Sequence, residues 1–257
     1  MLHLNYKTYG EAKYPALVIL HGFLGSADNW HTLAKQFSSD FQVWTIDQRN
    51  HGRSPHAYEF NYDVLVDDLY DFLDEHQISQ PILLGHSMGG KVVMQYALQF
   101  PQLVSKLIVV DMAPYAYAHH HQTVLEALKN IHLERFAKRE EIENALSEYI
   151  PEWDTRQFIM KSIYYENGKY QWRFYTESLI DNYEEILKGV HGKVFDGQTL
   201  FIKGENSQYI AKERWSEIIS LFPKAELVEI PGAGHWVHAE KPQEFYQALI
   251  SFLKKTN

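Results

Sequence analysis

Cysteine is absent from all 257 residues. That excludes a disulfide framework, a thiolate nucleophile and any Cys-ligated zinc or iron–sulfur site. Basic charge is scarce: 24 Lys and Arg stand against 33 Asp and Glu, a net charge of −9 with histidines neutral. No run of Lys and Arg reverses the sign locally, so a phosphate backbone would be repelled and no nucleic-acid partner is expected. Long apolar runs are missing too. The stretch Ala16 to Leu20 is far too short to span a bilayer, and Met1 to Gly10 has no basic segment followed by an apolar one. A soluble, cytoplasmic protein with no membrane span is the expectation, and the oligomeric state is not readable.

At 45% hydrophobic, the chain is long enough to bury a sizeable core in one large domain, with or without an insertion. Short β-branched runs alternate with helical patterns, as in βαβ units around a parallel sheet. Seven strands are predicted: Leu2 to Tyr9, Ala16 to His21, Gln42 to Asp47, Pro81 to Gly85, Lys106 to Asp111, Thr199 to Lys203 and Glu226 to Ile230. Runs such as Leu107 to Val110 do not alternate with polar residues, so helices should cover both faces of the sheet. Leu65, Leu69, Phe72 and Leu73 make the apolar stripe of one such helix. Asp67, Asp68, Asp71 and Asp74 lie off that stripe and read as a solvated face rather than a metal site.

The alternation stops after Pro114. Residues 115–190 read as a mainly helical insertion between two core strands, leaving 1–114 and 191–257 as the core. Within it Val124 to Ile131 and Ile142 to Tyr149 have helical spacing, and Asn167-Gly168 suits the turn of a small hairpin. The triplet His119-His120-His121 reads as a polar loop, because three adjacent side chains cannot all face one metal on regular structure.

Gly85-His86-Ser87-Met88-Gly89 is a G-x-S-x-G match. Three fixed positions recur by chance in roughly one chain in ten of this length, so the context has to carry the argument. An apolar strand precedes it and a helical pattern follows, which is the strand-turn-helix setting of an exposed nucleophile. A serine hydroxyl needs a base to take its proton. Among 14 histidines, His235 follows the last predicted strand in Pro231-Gly232-Ala233-Gly234-His235, where glycines let the loop turn toward the carboxyl edge of the sheet. His238 is the rival base. A carboxylate must orient the imidazole, and both Asp111 and Glu205 end core strands in the chain order Ser, acid, His. Oxyanion donors are expected from the Phe23 amide, in the turn His21 to Gly25, and from the Met88 amide at the start of the helix after Ser87.

Taken together, His21-Gly22, Asp47 to Ser54, Gly85 to Gly90 and Gly232 to Trp236 occur in an order that resembles the α/β-hydrolase superfamily. Their wording is similar to the small bacterial esterases of the YbfF type. The likeness spans nearly the whole chain and weakens inside 115–190. It implies an α/β-hydrolase fold: an eight-strand-type, mostly parallel sheet flanked by helices, with a helical cap inserted after the strand ending at Asp111. It also implies hydrolysis of a small acyl ester or thioester with no cofactor or metal, Ser87 and His235 acting as nucleophile and base. Many members carry an Asp two residues after the position of Glu205, whereas this chain has Ser207 there. The chain therefore resembles the branch whose acid lies before the lid, and Asp111 fits that role. Ser87 argues against the members that use Asp as nucleophile on carbon–halogen or epoxide bonds. An acyl-CoA thioesterase remains the close alternative to a carboxylesterase, and a non-catalytic receptor for a small apolar ligand the distant one.

Overall fold

The computed structural model describes residues 2–119 and 122–255. Seven strands form the main sheet: β1 (Tyr6–Tyr9), β2 (Ala16–Leu20), β3 (Gln42–Ile46), β4 (Ile82–His86), β5 (Lys106–Val110), β8 (Gln198–Gly204) and β9 (Ala225–Ile230). A separate hairpin joins β6 (Ile163–Glu166) to β7 (Lys169–Trp172). The order across the sheet is β1-β3-β2-β4-β5-β8-β9, parallel throughout except for β1 against β3. The chain winds outward in both directions from β2 and β4, which leaves a crevice beyond their carboxyl ends, the usual place for a ligand in such a sheet.

The α/β-hydrolase reading holds, with two corrections. Among the described residues the main sheet has the seven strands predicted from the residues rather than the eight-strand type that the resemblance implied, and its first begins at Tyr6 rather than Leu2. Asn5 shows why: its amide donates to Ser54 Oγ and its carbonyl accepts from Asp47 N, so that backbone serves the loop after β3. The second correction concerns Asp68. It is buried and pairs with Arg49, whose Nε and Nη2 reach its two oxygens at 2.5 and 2.8 Å. A fork-on-carboxylate pair of this kind satisfies both charges away from water, so Asp68 belongs to no solvated face.

Helices α1 (His31–Phe37), α2 (Tyr62–Glu75), α3 (Met88–Gln99), α9 (Trp215–Leu221), α10 (Val237–Glu240) and α11 (Pro242–Leu253) belong to the stretches before and after 115–190. One apolar cluster joins α2 and α3 to one sheet face, and a second joins α1 and α11 to the other. Burial of β4 and most of β5 on both faces follows from those two layers.

Between β5 and β8 lie α4 (Gln122–Asn130), α5 (Arg139–Ser147), α6 (Trp153–Met160), the hairpin, α7 (Thr176–Asp181) and α8 (Tyr183–Leu187). The hairpin turns at Asn167 and Gly168, both with positive φ, as its two-residue turn requires. His119 lies 3.0 Å from Glu184, while His120 and His121 fall outside the described residues. Lys91 of α3 ties this segment to the sheet. Fully buried, its ammonium donates to the carbonyls of Leu187 and Lys188, and burial pushes its pKa down to about 7.

Candidate active site

Five neighbouring strands deliver the candidate residues to one edge. The loop after β2 brings Phe23, the turn after β4 brings Ser87, β5 ends just before Asp111, β8 leads into Ser207, and β9 leads into His235.

Ser87 sits in the tight turn from β4 to α3 with φ 53° and ψ −121°, a conformation that L side chains rarely adopt. Its amide donates to Val110 O at 3.0 Å, which locks the turn against β5. The glycines of the motif are required by space. A Cβ on Gly85 would stand 2.1 Å from Gly89 O, and one on Gly89 would stand 2.5 Å from His21 O. Met88 opens α3, so its amide is one of the first N–H groups that the helix itself leaves unpaired.

The loop carrying Phe23 is pressed against the serine, since a Cβ on Gly22 would meet Ser87 Cβ at 3.1 Å. Two buried histidines hold that loop. His21 Nδ1 donates to Gly22 O at 2.8 Å while Nε2 accepts from Gln48 N at 3.0 Å. His51 Nδ1 donates to Arg49 O at 2.9 Å and Nε2 accepts from Leu24 N at 3.1 Å. In each ring one nitrogen must donate and the other accept, so both imidazoles are neutral. Burial pushes their pKa values down to about 4 for His21 and about 3 for His51.

Asp111 is fully buried and also has positive φ, 50°. Its Oδ2 accepts from His235 Nδ1 at 2.7 Å and from Ser207 Oγ at 2.5 Å, and its Oδ1 accepts from Gly204 N at 3.2 Å. Desolvation pushes its pKa up to about 7, against the lowering effects of the Ser207 hydroxyl, the Gly204 amide and the Lys203 charge. The other carboxylate candidate, Glu205, turns outward and accepts from Gly232 N at 2.7 Å. His238 stacks on Trp30 with centroids 4.2 Å apart and planes 9° apart, and burial pushes its pKa well down.

Four contacts around His235 were not anticipated. Ser207 is one. Glu240 is another, accepting from Gly234 N at 2.6 Å and Trp236 N at 3.1 Å, the amides on either side of the histidine. Tyr209 stacks on the imidazole with centroids 4.1 Å apart. Both Tyr115 and Tyr117 hydroxyls donate to the Tyr209 carbonyl. His86 closes the other side, its Nε2 lying 2.9 Å from His235 O. One signal was available for Glu240: a two-glycine loop has amides with no strand partner, and a nearby carboxylate is the natural acceptor.

Ser87, His235 and Phe23 share a cavity of about 160 Å³, walled also by Tyr209, Phe158 and Ile159. A larger cavity of about 650 Å³, beside Leu128, Trp172 and Tyr175, includes none of the predicted site residues. No group of three metal-binding side chains occurs among the described residues.

A family model described as the alpha/beta hydrolase fold matches residues 15–242. The chain belongs to the α/β-hydrolase family. Relatives extend along nearly all of this hydrolase. An sn-1-specific diacylglycerol lipase of Danio rerio is 38% identical over 263 residues, covering 98% of this chain and 83% of its own. Esterase YbfF of Escherichia coli is 34% identical over 238 residues, covering 92% of each. Among solved structures, a marine microorganism esterase superposes with a TM-score of 0.95 at 40% identity, covering 98% of this chain and 100% of its own. This hydrolase is thus an enzyme of the carboxylesterase class. No helix among the described residues is long and apolar enough to cross a membrane.

Proposed function

We propose that the protein hydrolyses carboxylic esters through Ser87, His235 and Asp111 by way of an acyl-enzyme. The observation that carries this reading is the 2.7 Å bond from His235 Nδ1 to Asp111, made beside a cavity that also holds Ser87. With Nδ1 donating, the imidazole keeps Nε2 as the basic nitrogen. His235 takes the Ser87 proton as Oγ bonds to the acyl carbon. The carbonyl electron pair moves to oxygen and is held by the Phe23 and Met88 amides, the second aided by the positive end of α3. The pair then reforms the carbonyl, the bond to the alcohol oxygen breaks, and His235 returns its proton to that oxygen. Water repeats the sequence on the acyl-enzyme and releases the acid. Asp111 acts in its ionised form, which the Ser207 hydroxyl and the Gly204 amide support, and stabilises the imidazolium.

Residues 115–190 serve as the lid of this site on a core made of 1–114 and 191–257, which α6 supports by lining the cavity with Phe158 and Ile159. The test is a fluorophosphonate probe followed by peptide mapping. Label on Ser87, lost together with ester turnover in Ser87→Ala, is the expected result, with kcat down by about 10⁶ as in a related serine hydrolase. Normal turnover in a folded Ser87→Ala protein overturns the mechanism. Acyl-CoA thioesters belong in the same substrate panel.

A further inference from the structure

Helix α6 has two cavities, one on either side. Its inner residues Phe158 and Ile159 face the space that holds Ser87 and His235. Beyond it lies a second space of about 460 Å³, bounded by Trp153, Asp154 and Gln157 of the helix, by Lys161 just after it and by Asn29. Only Phe158 and Trp236 wall both, and their rings lie 5.4 Å apart at 38°. The two rings are therefore the partition between the reaction chamber and an outer vestibule.

We propose that the vestibule binds the alcohol half of the ester, that this half is an uncharged alcohol with an aromatic or extended apolar body, and that it reaches the vestibule past the Phe158–Trp236 pair while the ester bond itself lies at Ser87. The assignment rests on the serine-hydrolase reading above. Its first support is the direction of proton transfer. The imidazole that accepts the Ser87 proton must deliver it to the departing oxygen, so the alcohol has to lie on the His235 side of the site. Trp236 is the next residue in the chain and forms the wall there.

Size supports the same division. At about 160 Å³ the inner cavity has room for roughly five waters at about 30 Å³ each, enough for a short acyl chain and little else. Anything bulkier has to extend past the partition. Trp153, 61% exposed at the vestibule wall, offers an aromatic ring to a ligand there. Asn29, Gln157 and Lys161 supply hydrogen-bonding groups around it.

Charge limits the class further. The vestibule carries two carboxylates, Asp154 and Glu240, against one ammonium, Lys161, on a chain of net charge −9. A polyphosphate leaving group such as coenzyme A meets repulsion there, whereas a neutral alcohol does not.

The test uses full-length wild type and Trp153→Ala on two ester series. In one the acyl group is butyryl and the alcohol runs from methyl through benzyl to 2-naphthylmethyl, leaving groups of nearly equal acidity. In the other the alcohol is benzyl and the acyl chain lengthens. For wild type we expect kcat/KM to rise at least tenfold from the methyl to the naphthylmethyl ester. In Trp153→Ala that ratio should collapse severalfold or more while the acyl-length optimum stays where it was. S-benzyl thiobutyrate should exceed butyryl-CoA by at least tenfold, both losing a thiol. A wild type indifferent to the alcohol, an acyl optimum that moves in Trp153→Ala, or butyryl-CoA as the better thioester each overturns this inference and leaves the serine mechanism standing. Absence of turnover on every ester overturns both.

Discussion

Ser207 donates a 2.5 Å hydrogen bond to the same Asp111 oxygen that accepts from His235 Nδ1. The residue that stands where many family members carry the acid thus faces the carboxylate that approaches the histidine here. Its hydroxyl is one of the groups that oppose the desolvation of Asp111. Replacing it should weaken the ionised form on which the orienting bond depends.

Ser207→Ala is accordingly expected to lower kcat by about tenfold, the effect of one hydrogen bond to a charged group worth about 1.5 kcal/mol. It should also move the acid limb of kcat/KM to higher pH, because losing that donor lets desolvation raise the Asp111 pKa beyond its present value of about 7. The limb belongs to the Asp111–His235 pair as a unit. A pH–rate profile identical to wild type would remove Ser207 from any positioning role.

Asp111→Asn keeps the shape but reverses the hydrogen-bond demand on His235 Nδ1. We expect kcat to fall by roughly 10³ to 10⁴, as when the buried Asp of a serine protease triad is so changed. Glu205→Gln should cost under about tenfold, since that side chain caps the Gly232 amide, a bond its amide oxygen can still accept. Steady-state kinetics on both folded variants provides the comparison, and the opposite ranking would hand the orienting role to Glu205.

Glu240 holds the amides on both sides of His235 from an exposed position. Glu240→Ala should reduce kcat by about tenfold with little change in KM, through loss of imidazole alignment. Glu240→Gln, which retains an acceptor oxygen, should recover much of it. Equal activity in the two variants would mean that the loop is fixed by its other contacts.

His21 and His51 are folded into neutral forms, with pKa values pushed down to about 4 and about 3 from the usual 6.5. His56, His86 and His238 are shifted the same way, while Asp111, raised to about 7, and Asp68, also raised by burial, oppose them. Below pH 6.5 the unfolded chain therefore binds more protons than the native one. The stability these histidines contribute is complete above pH 6.5 and is lost progressively as pH falls toward 4. Tm should drop on acidification across that window, and the drop should be shallower in His51→Gln. A Tm constant from pH 7 to 4.5 would contradict the neutral assignment.

What the sequence determined by itself is local in character. The β4–Ser87–α3 turn is legible because its requirements sit within a few residues: an apolar strand, glycines where a Cβ would collide, and a helix that starts at once. The strands of the hydrolase sheet are legible in the same way from β-branched runs and their spacing, and the hairpin from Asn167-Gly168, whereas the order of the strands across the sheet is not. The residues by themselves left Asp111 and Glu205 open and the family resemblance pointed to Asp111, but the contact of one of them with His235 exists only in the tertiary structure. The bonds of Asp111 to Gly204, Ser207 and His235 join residues 93, 96 and 124 positions apart, and no periodicity or turn preference encodes pairings at that range. The same holds for Asp68, which reads as surface on its own helix and is buried only because Arg49 arrives from the loop after β3. Ser207 reads as a missing acid in the chain and becomes a donor to one only when β5 and β8 lie side by side, because a hydroxyl has no set role until packing chooses its partner.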